Sequence, residues 1–178
     1  MEGGYPPLSQ GATALLKSKS GSNFRPMSLW RKLFGGDEGT GNGAPPSRGR
    51  RLDYQNEALA LERQGDFEGA LTSYRLALRG APTDVRLLQN VAILYSKTEQ
   101  PEEAIRHYRR ALEIDNDLPG AHYGLAFLLV RRGALGEAAA HLREFLARPL
   151  KGADAEKWVR HAEGTLRDVE AALTAEQA

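Results

Sequence analysis

The residues best suited to acid–base or metal chemistry in this chain are four histidines, His107, His122, His141 and His161. They form no His-Glu-x-x-His pattern and no other tight ligand spacing. His107 and His141 occupy equivalent places in two copies of an internal repeat, and structural roles account for all four rings. The chain has no cysteine, which excludes disulfides, thiol chemistry and the usual zinc-finger ligand sets. We therefore predict no metal site and no cofactor.

Two polar segments could suggest a ligand, and neither has the required pattern. Asp115-Asn116-Asp117 resembles the start of a calcium loop, but the later glycine and glutamate are missing. A nucleotide-binding loop would follow a strand, and no strand is predicted before the glycine-rich stretch at 39–43. We interpret the first as a polar turn and the second as linker. With no nucleophile motif either, we predict no catalytic residue and no enzyme activity.

Composition and charge are those of a soluble globular chain. Hydrophobic residues make up 41% and charged residues 26% of the 178. The formal net charge is only +1, so charge gives no reason to expect nucleic acid as a partner. No run approaches the roughly 18 apolar residues of a spanning helix, and the N-terminus lacks the pattern of a secretory signal. We expect a cytoplasmic protein.

Residues 1–50 differ from the rest of the chain. They are rich in Gly, Ser and Pro, and they hold seven Lys/Arg against three Asp/Glu. Such a segment buries too little apolar surface to offset its ordering entropy, so we predict a disordered basic tail. Residues 27–34 (MSLWRKLF) are an exception, because they combine apolar residues with two cations. That composition suits a membrane interface, and a membrane-surface tether is our alternative function.

From residue 51 onward the sequence resembles itself when it is shifted by a constant number of residues, equal to the distance along the chain from Ala58 to Ala92. Small residues coincide in two columns: Ala58, Ala92 and Ala126, then Ala70, Ala104 and Ala138. Each copy has two amphipathic stretches separated by a short break, predicted as helices over 53–64 and 67–79 in the first copy. Asp84 is a predicted N-cap, and Pro101 and Pro119 suit the first turn of a helix.

This register resembles the tetratricopeptide repeat family, most closely over 65–78 (GDFEGALTSYRLAL). The copies are 51–84, 85–118 and 119–152, and the resemblance implies an all-α solenoid of three helical hairpins. A further helix, predicted over 154–173, carries one apolar stripe that includes Trp158. Since a solenoid needs its ends covered, we interpret 153–178 as a C-terminal capping helix.

The resemblance also implies a binding groove lined by the first helix of each hairpin. The implied groove residues are Gln55, Leu59, Arg63, Gln89, Asn90, Ile93, Lys97, Tyr123, Phe127, Val130 and Arg131. Each copy offers one large apolar residue and one cation, four positions apart and therefore on one helix face. The carboxylate clamp of chaperone-binding members is absent, since only Asn90 matches it.

We predict from this pattern a protein-interaction adaptor for a peptide or partner helix with acidic and apolar residues. Two questions remain open at this point. The apolar row could be covered by the chain's own C-terminal helix or by residues 27–34. The oligomeric state is also open.

Overall fold

The computed structural model describes residues 53–148, 152 and 155–177. Within these residues the regular structure is entirely helical. The helices are α1 (Tyr54–Gln64), α2 (Phe67–Gly80), α3 (Val85–Lys97), α4 (Pro101–Ile114), α5 (Pro119–Arg132), α6 (Leu135–Ala147) and α7 (Ala155–Gln177). The predicted all-α class is confirmed, and the first two predicted helices match α1 and α2 to within one residue at each end.

Side-chain caps and left-handed glycines set several helix ends. Asp53 and Asp66 accept hydrogen bonds from the backbone N–H groups three residues later. Asp84 accepts from the N–H groups of Arg86 and Leu87, which confirms the predicted cap. Pro101 and Pro119 open α4 and α5 as predicted. Gly65 ends α1 at a φ of 84°, a left-handed conformation that glycine adopts without strain.

The repeated alanines lie where helices approach most closely. All six alanines of the two columns are fully buried. A small side chain lets a neighbouring helix come near, and the large rings of Tyr74 and Tyr108 fill the adjacent space. The repeating pattern of small and large residues therefore marks positions that are buried in the core.

The described helices fall into two compact units. One unit holds α1 to α4, in which α1 packs with α2, α2 with α3, and α3 with α4. The other holds α5 to α7, in which α6 packs against both α5 and α7. Trp158 of α7 is buried within the second unit, which supports the predicted capping role of that helix. No helix among the described residues is long and apolar enough to cross a membrane.

Residues 1–50 and their segment 27–34 lie outside the described residues. The disordered tail and the membrane-surface tether therefore stay predictions.

Candidate functional site

The predicted groove residues lie on the first helix of each hairpin, which we call the A helices: α1, α3 and α5. We describe them as two patches, one in each compact unit. The first patch comprises Leu59, Glu62 and Arg63 of α1 together with Asn90 and Ile93 of α3. Leu59 and Asn90 are half-buried, Ile93 is 9% exposed, and Arg63 is exposed. This patch thus combines a half-buried and a largely buried apolar residue with an amide and an exposed cation.

Two predicted glutamines differ in their exposure. Gln55 is exposed on α1, whereas Gln89 of α3 is buried. Equivalent positions of the repeat therefore differ in whether their side chains are exposed to solvent. Gln89 lies on α3, which packs against both α2 and α4, whereas Gln55 lies on α1, which packs mainly against α2.

Lys97 is not the exposed cation that its repeat position predicted. Its ammonium group forms an ion pair with Glu62 of α1 and lies 4.9 Å from the centre of the Phe67 ring. The Lys97 side chain is only 5% exposed. A cation that is already paired with a carboxylate and packed over an aromatic ring is not free to pair with a ligand. The row of three predicted cations is therefore reduced to Arg63 and Arg131.

Neither Arg63 nor Arg131 forms an ion pair with another described residue. Both are exposed and end their helices, Arg63 in the last turn of α1 and Arg131 in the last turn of α5. These two guanidinium groups are therefore available to a partner's carboxylates.

A buried hydroxyl lies beneath the first patch. Tyr74 of α2 is fully buried, and its hydroxyl has no hydrogen-bond partner among the described residues. Burial is the main reason that its pKa is raised, and the nearby Glu62 charge adds to the increase. The Asn90 amide and the Arg63 charge act in the opposite direction. Asn90 is thus close enough to influence the hydroxyl, although the pair lacks good hydrogen-bond geometry.

The second patch comprises Tyr123 and Phe127 of α5 and His161 of α7. The Phe127 and His161 rings are stacked, with centroids 4.7 Å apart and planes inclined by 7°. The Tyr123 hydroxyl lies 2.7 Å from His161 Nδ1. Burial lowers the pKa of His161 and raises that of Tyr123. Both groups are therefore neutral near pH 7, and the hydroxyl shares one hydrogen bond with Nδ1, whose direction depends on the tautomer of the ring.

Deeper aromatic rings hold the second patch in place. Tyr123 is 4% exposed, and its ring centroid lies 5.1 Å from that of Phe145 and 5.1 Å from that of Trp158. Phe127 and His161, in contrast, remain half-buried. The patch is thus a fixed pair of partly exposed rings above a closed aromatic core.

The chain's own C-terminal helix covers part of the third-copy groove. Tyr123 contacts Trp158 and His161, and Val130 packs against a cluster that includes Leu135, Val169 and other apolar residues of α6 and α7. Coverage in cis, one of the alternatives left open by the sequence, therefore holds for Tyr123 and Val130.

The four histidines make contacts within the fold. His122 is buried, and its Nδ1 lies 3.0 Å from His141 Nδ1, so that one ring donates and the other accepts. His107 Nδ1 lies 2.9 Å from the backbone oxygen of Glu103 in its own helix. His161 of α7 stacks on Phe127 of α5, a contact that the periodicity of neither helix predicts. In the described ranges, no group of three His, Asp or Glu side chains is arranged to hold a metal ion.

Comparison with known proteins gives a consistent result. Residues 93–133 match a family model described as the TPR, or tetratricopeptide, repeat. The photosystem I assembly protein Ycf3 of Parasynechococcus marenigrum is 32% identical over 87 residues, which are 47% of this chain and 50% of that protein. The chain thus spans about half the length of this curated relative.

Solved structures resemble the fold more completely. The type III secretion chaperone SycD of Yersinia enterocolitica, in complex with a peptide of the translocator YopD, has a TM-score of 0.61 at 17% identity. That match covers 66% of this chain and 90% of SycD. The TPR2B domain of yeast Sti1, in a complex with Hsp70, has a TM-score of 0.57 at 20% identity, covering 67% of this chain and 94% of that domain. At such identities the likeness establishes the fold alone.

Proposed function

We propose that this tetratricopeptide-repeat protein is an adaptor that binds a peptide segment of a partner protein on the A-helix face of its first two hairpins. The segment would place an apolar side chain against Leu59 and Ile93 and a carboxylate near Arg63. Large apolar groups usually supply most of the binding free energy at such surfaces. Exposed cations mainly select the partner and speed its encounter.

The observation that carries this proposal is the buried Tyr74 hydroxyl. A buried polar group without a partner is costly, at about 1–3 kcal/mol, and native structures contain few of them. This hydroxyl lies among Glu62, Arg63 and Asn90, which all belong to the first patch. A peptide backbone that lies across the patch would hydrogen-bond to the half-buried Asn90 amide and hold it in one orientation above the hydroxyl.

The solved relatives support the same class of ligand. One is described in complex with a translocator peptide and another in complex with Hsp70. Because these matches share only the fold, they support a peptide or protein partner and do not identify it. The absence of the carboxylate clamp at Gln55 and Leu59 argues against a ligand held mainly by its terminal carboxylate.

A selected peptide can test the proposal. We would select binding peptides from a random dodecapeptide library on phage, with the full chain as bait. The affinity of the synthesised peptide would be measured by fluorescence anisotropy for the parent protein, Asn90→Ala and Arg63→Glu. Arg75→Glu is the matched control, because Arg75 lies exposed on α2 of the same hairpin and the charge change is identical.

We expect Asn90→Ala and Arg63→Glu each to weaken binding tenfold or more, and Arg75→Glu to change it less than twofold. The Arg63→Glu effect should be larger at low salt than at high salt, since salt screens exposed charges. Equal losses in Arg63→Glu and Arg75→Glu would mean that binding depends on net charge alone. Full affinity in both first-patch variants would place the site elsewhere on the chain.

A further inference from the structure

An exposed threonine, Thr83, lies in the turn between α2 and α3 with an arginine on either side of it along the chain. Residues 79–86 (RGAPTDVR) place Arg79 in the last turn of α2 and Arg86 in the first turn of α3. Both arginines are exposed, and neither forms an ion pair with another described residue. The turn therefore offers a hydroxyl group between two cations that are available to an anion.

A third arginine reaches the same turn from the next hairpin. Nη2 of Arg110 in α4 donates a hydrogen bond to the backbone oxygen of Pro82, at 2.9 Å. That oxygen belongs to the peptide bond that joins Pro82 to Thr83, so the guanidinium group lies beside the threonine. A guanidinium group has five N–H donors, and those not used by Pro82 remain for a further acceptor.

The equivalent turn between α4 and α5 contains an anion at the matching position. Asp117 stands one repeat after Thr83. Its carboxylate lies 3.3 Å from Nη1 of Arg148, at the end of α6 in the following hairpin. Arg148 lies one helical turn beyond the repeat equivalent of Arg110. In both turns an arginine of the following hairpin thus reaches back to the turn, but it meets a carboxylate in the second and a backbone oxygen in the first.

We infer that Thr83 is a phosphorylation site, at which a protein kinase transfers the terminal phosphoryl group of ATP to the threonine oxygen. The hydroxyl loses its proton, a P–O bond forms at Oγ1, and the bond to the leaving ADP breaks. The phosphate would carry about −1.5 to −2 charges at pH 7 and three acceptor oxygens. Guanidinium groups bind such oxygens through paired hydrogen bonds. Phosphothreonine would thus give the first turn the anion that Asp117 gives the second.

One carboxylate in the turn opposes the phosphate. Asp84 follows Thr83 directly, and its side chain already accepts from the N–H groups of Arg86 and Leu87. Three cations against one carboxylate leave a net attraction. Because Arg110 belongs to α4, the phosphate would tie the α2–α3 turn to the second hairpin, with or without a bound peptide.

The test uses the full chain with phosphothreonine incorporated at position 83 by genetic-code expansion. Titration of the phosphorus NMR signal gives the pKa of the phosphate, and thermal unfolding followed by circular dichroism gives Tm. Arg110→Ala removes the cation that joins the hairpins. Arg75→Ala is its matched control, at an exposed position on α2 two helical turns before Thr83. Phosphothreonine at position 174 is a second control, because Thr174 is exposed on α7 and has no arginine within four residues.

We expect the phosphate at position 83 to titrate at a pH at least about 0.5 below the usual value of about 6. We expect Tm to exceed that of the unphosphorylated parent by about 3 °C or more. Arg110→Ala should remove most of both effects, Arg75→Ala should leave them unchanged, and the phosphate at position 174 should titrate near 6. A phosphate at position 83 that also titrates near 6, or equal losses in the two arginine variants, would overturn the site.

A kinase reaction tests the modification itself. The full chain would be incubated with ATP and a protein kinase that prefers basic sequences, and the phosphorylated residues would be mapped by mass spectrometry. Phosphate at Thr83 that is lost in Thr83→Val supports the inference. A chain phosphorylated only at other residues, or at none, would contradict it even if the arginines hold an incorporated phosphate.

Discussion

At the scale of single residues, the ion pair between Lys97 and Glu62 links two hairpins. The Lys97 side chain is 5% exposed and that of Glu62 is 14% exposed. Removing one partner of a buried pair leaves an uncompensated charge, which typically costs more than the pair contributes. The pair therefore fixes α1 against α3, the two helices that carry the first patch.

Replacing Glu62 should accordingly be costly. We expect Glu62→Ala to lower the free energy of unfolding by about 3 kcal/mol. The matched control is Glu103→Ala, which breaks an exposed pair with Arg106 and should cost about 0–1 kcal/mol. Urea unfolding followed by circular dichroism measures both. Similar small losses in the two variants would show that the Lys97–Glu62 pair is well solvated in solution.

The stability of the chain should also depend on the protonation of His161. Because burial lowers its pKa in the folded state, the unfolded state, with a pKa of about 6.5, takes up the proton first. Stability is therefore full above that value and falls as the pH drops below it, by at most about 1.4 kcal/mol per pH unit. His161→Phe should fall less steeply than the parent in urea unfolding between pH 7.5 and 5.5. Parallel pH profiles would contradict this.

Some of these residue roles could be predicted from the sequence and some could not. The buried alanine columns and the Asp84 cap follow from local spacing and side-chain type. Lys97 was misjudged because its partner Glu62 is 35 residues away, and a repeat alignment compares equivalent positions without pairing different ones. The stacking of His161 on Phe127 was not predicted, because the periodicity of α7 does not say which neighbouring ring the histidine meets.

At the scale of helices, α7 completes the second unit. Its apolar stripe includes Trp158, Ala162 and Val169, and all three are buried. Periodicity alone predicted the helix and its buried face. The contacts to Tyr123 and Phe127 could not be predicted in this way, because they depend on which neighbouring helix the stripe meets.

Trp158→Ala should therefore strongly destabilise the protein. Truncating a large buried aromatic side chain typically costs about 3–5 kcal/mol. Glu163→Ala, at an exposed position on the same helix, should change stability by less than about 0.5 kcal/mol. Chemical denaturation of both variants gives the comparison. A Trp158→Ala protein as stable as the control would make α7 a loosely attached appendage.

At the scale of the whole molecule, the chain combines an all-α repeat domain with a basic N-terminal segment. A cytoplasmic location remains a prediction. The disordered tail also remains one, since residues 1–50 lie outside the described part of the chain.

The proposed binding of a partner peptide to the A-helix face can be mapped residue by residue. The most direct measurement is a backbone amide NMR map of the full chain, titrated with a phage-selected dodecapeptide. We expect the largest shifts to cluster in α1 and α3, around Leu59, Asn90 and Ile93. Shifts centred on the exposed faces of α2 and α4, around Arg75 and Arg109, or on residues 1–50 would contradict it.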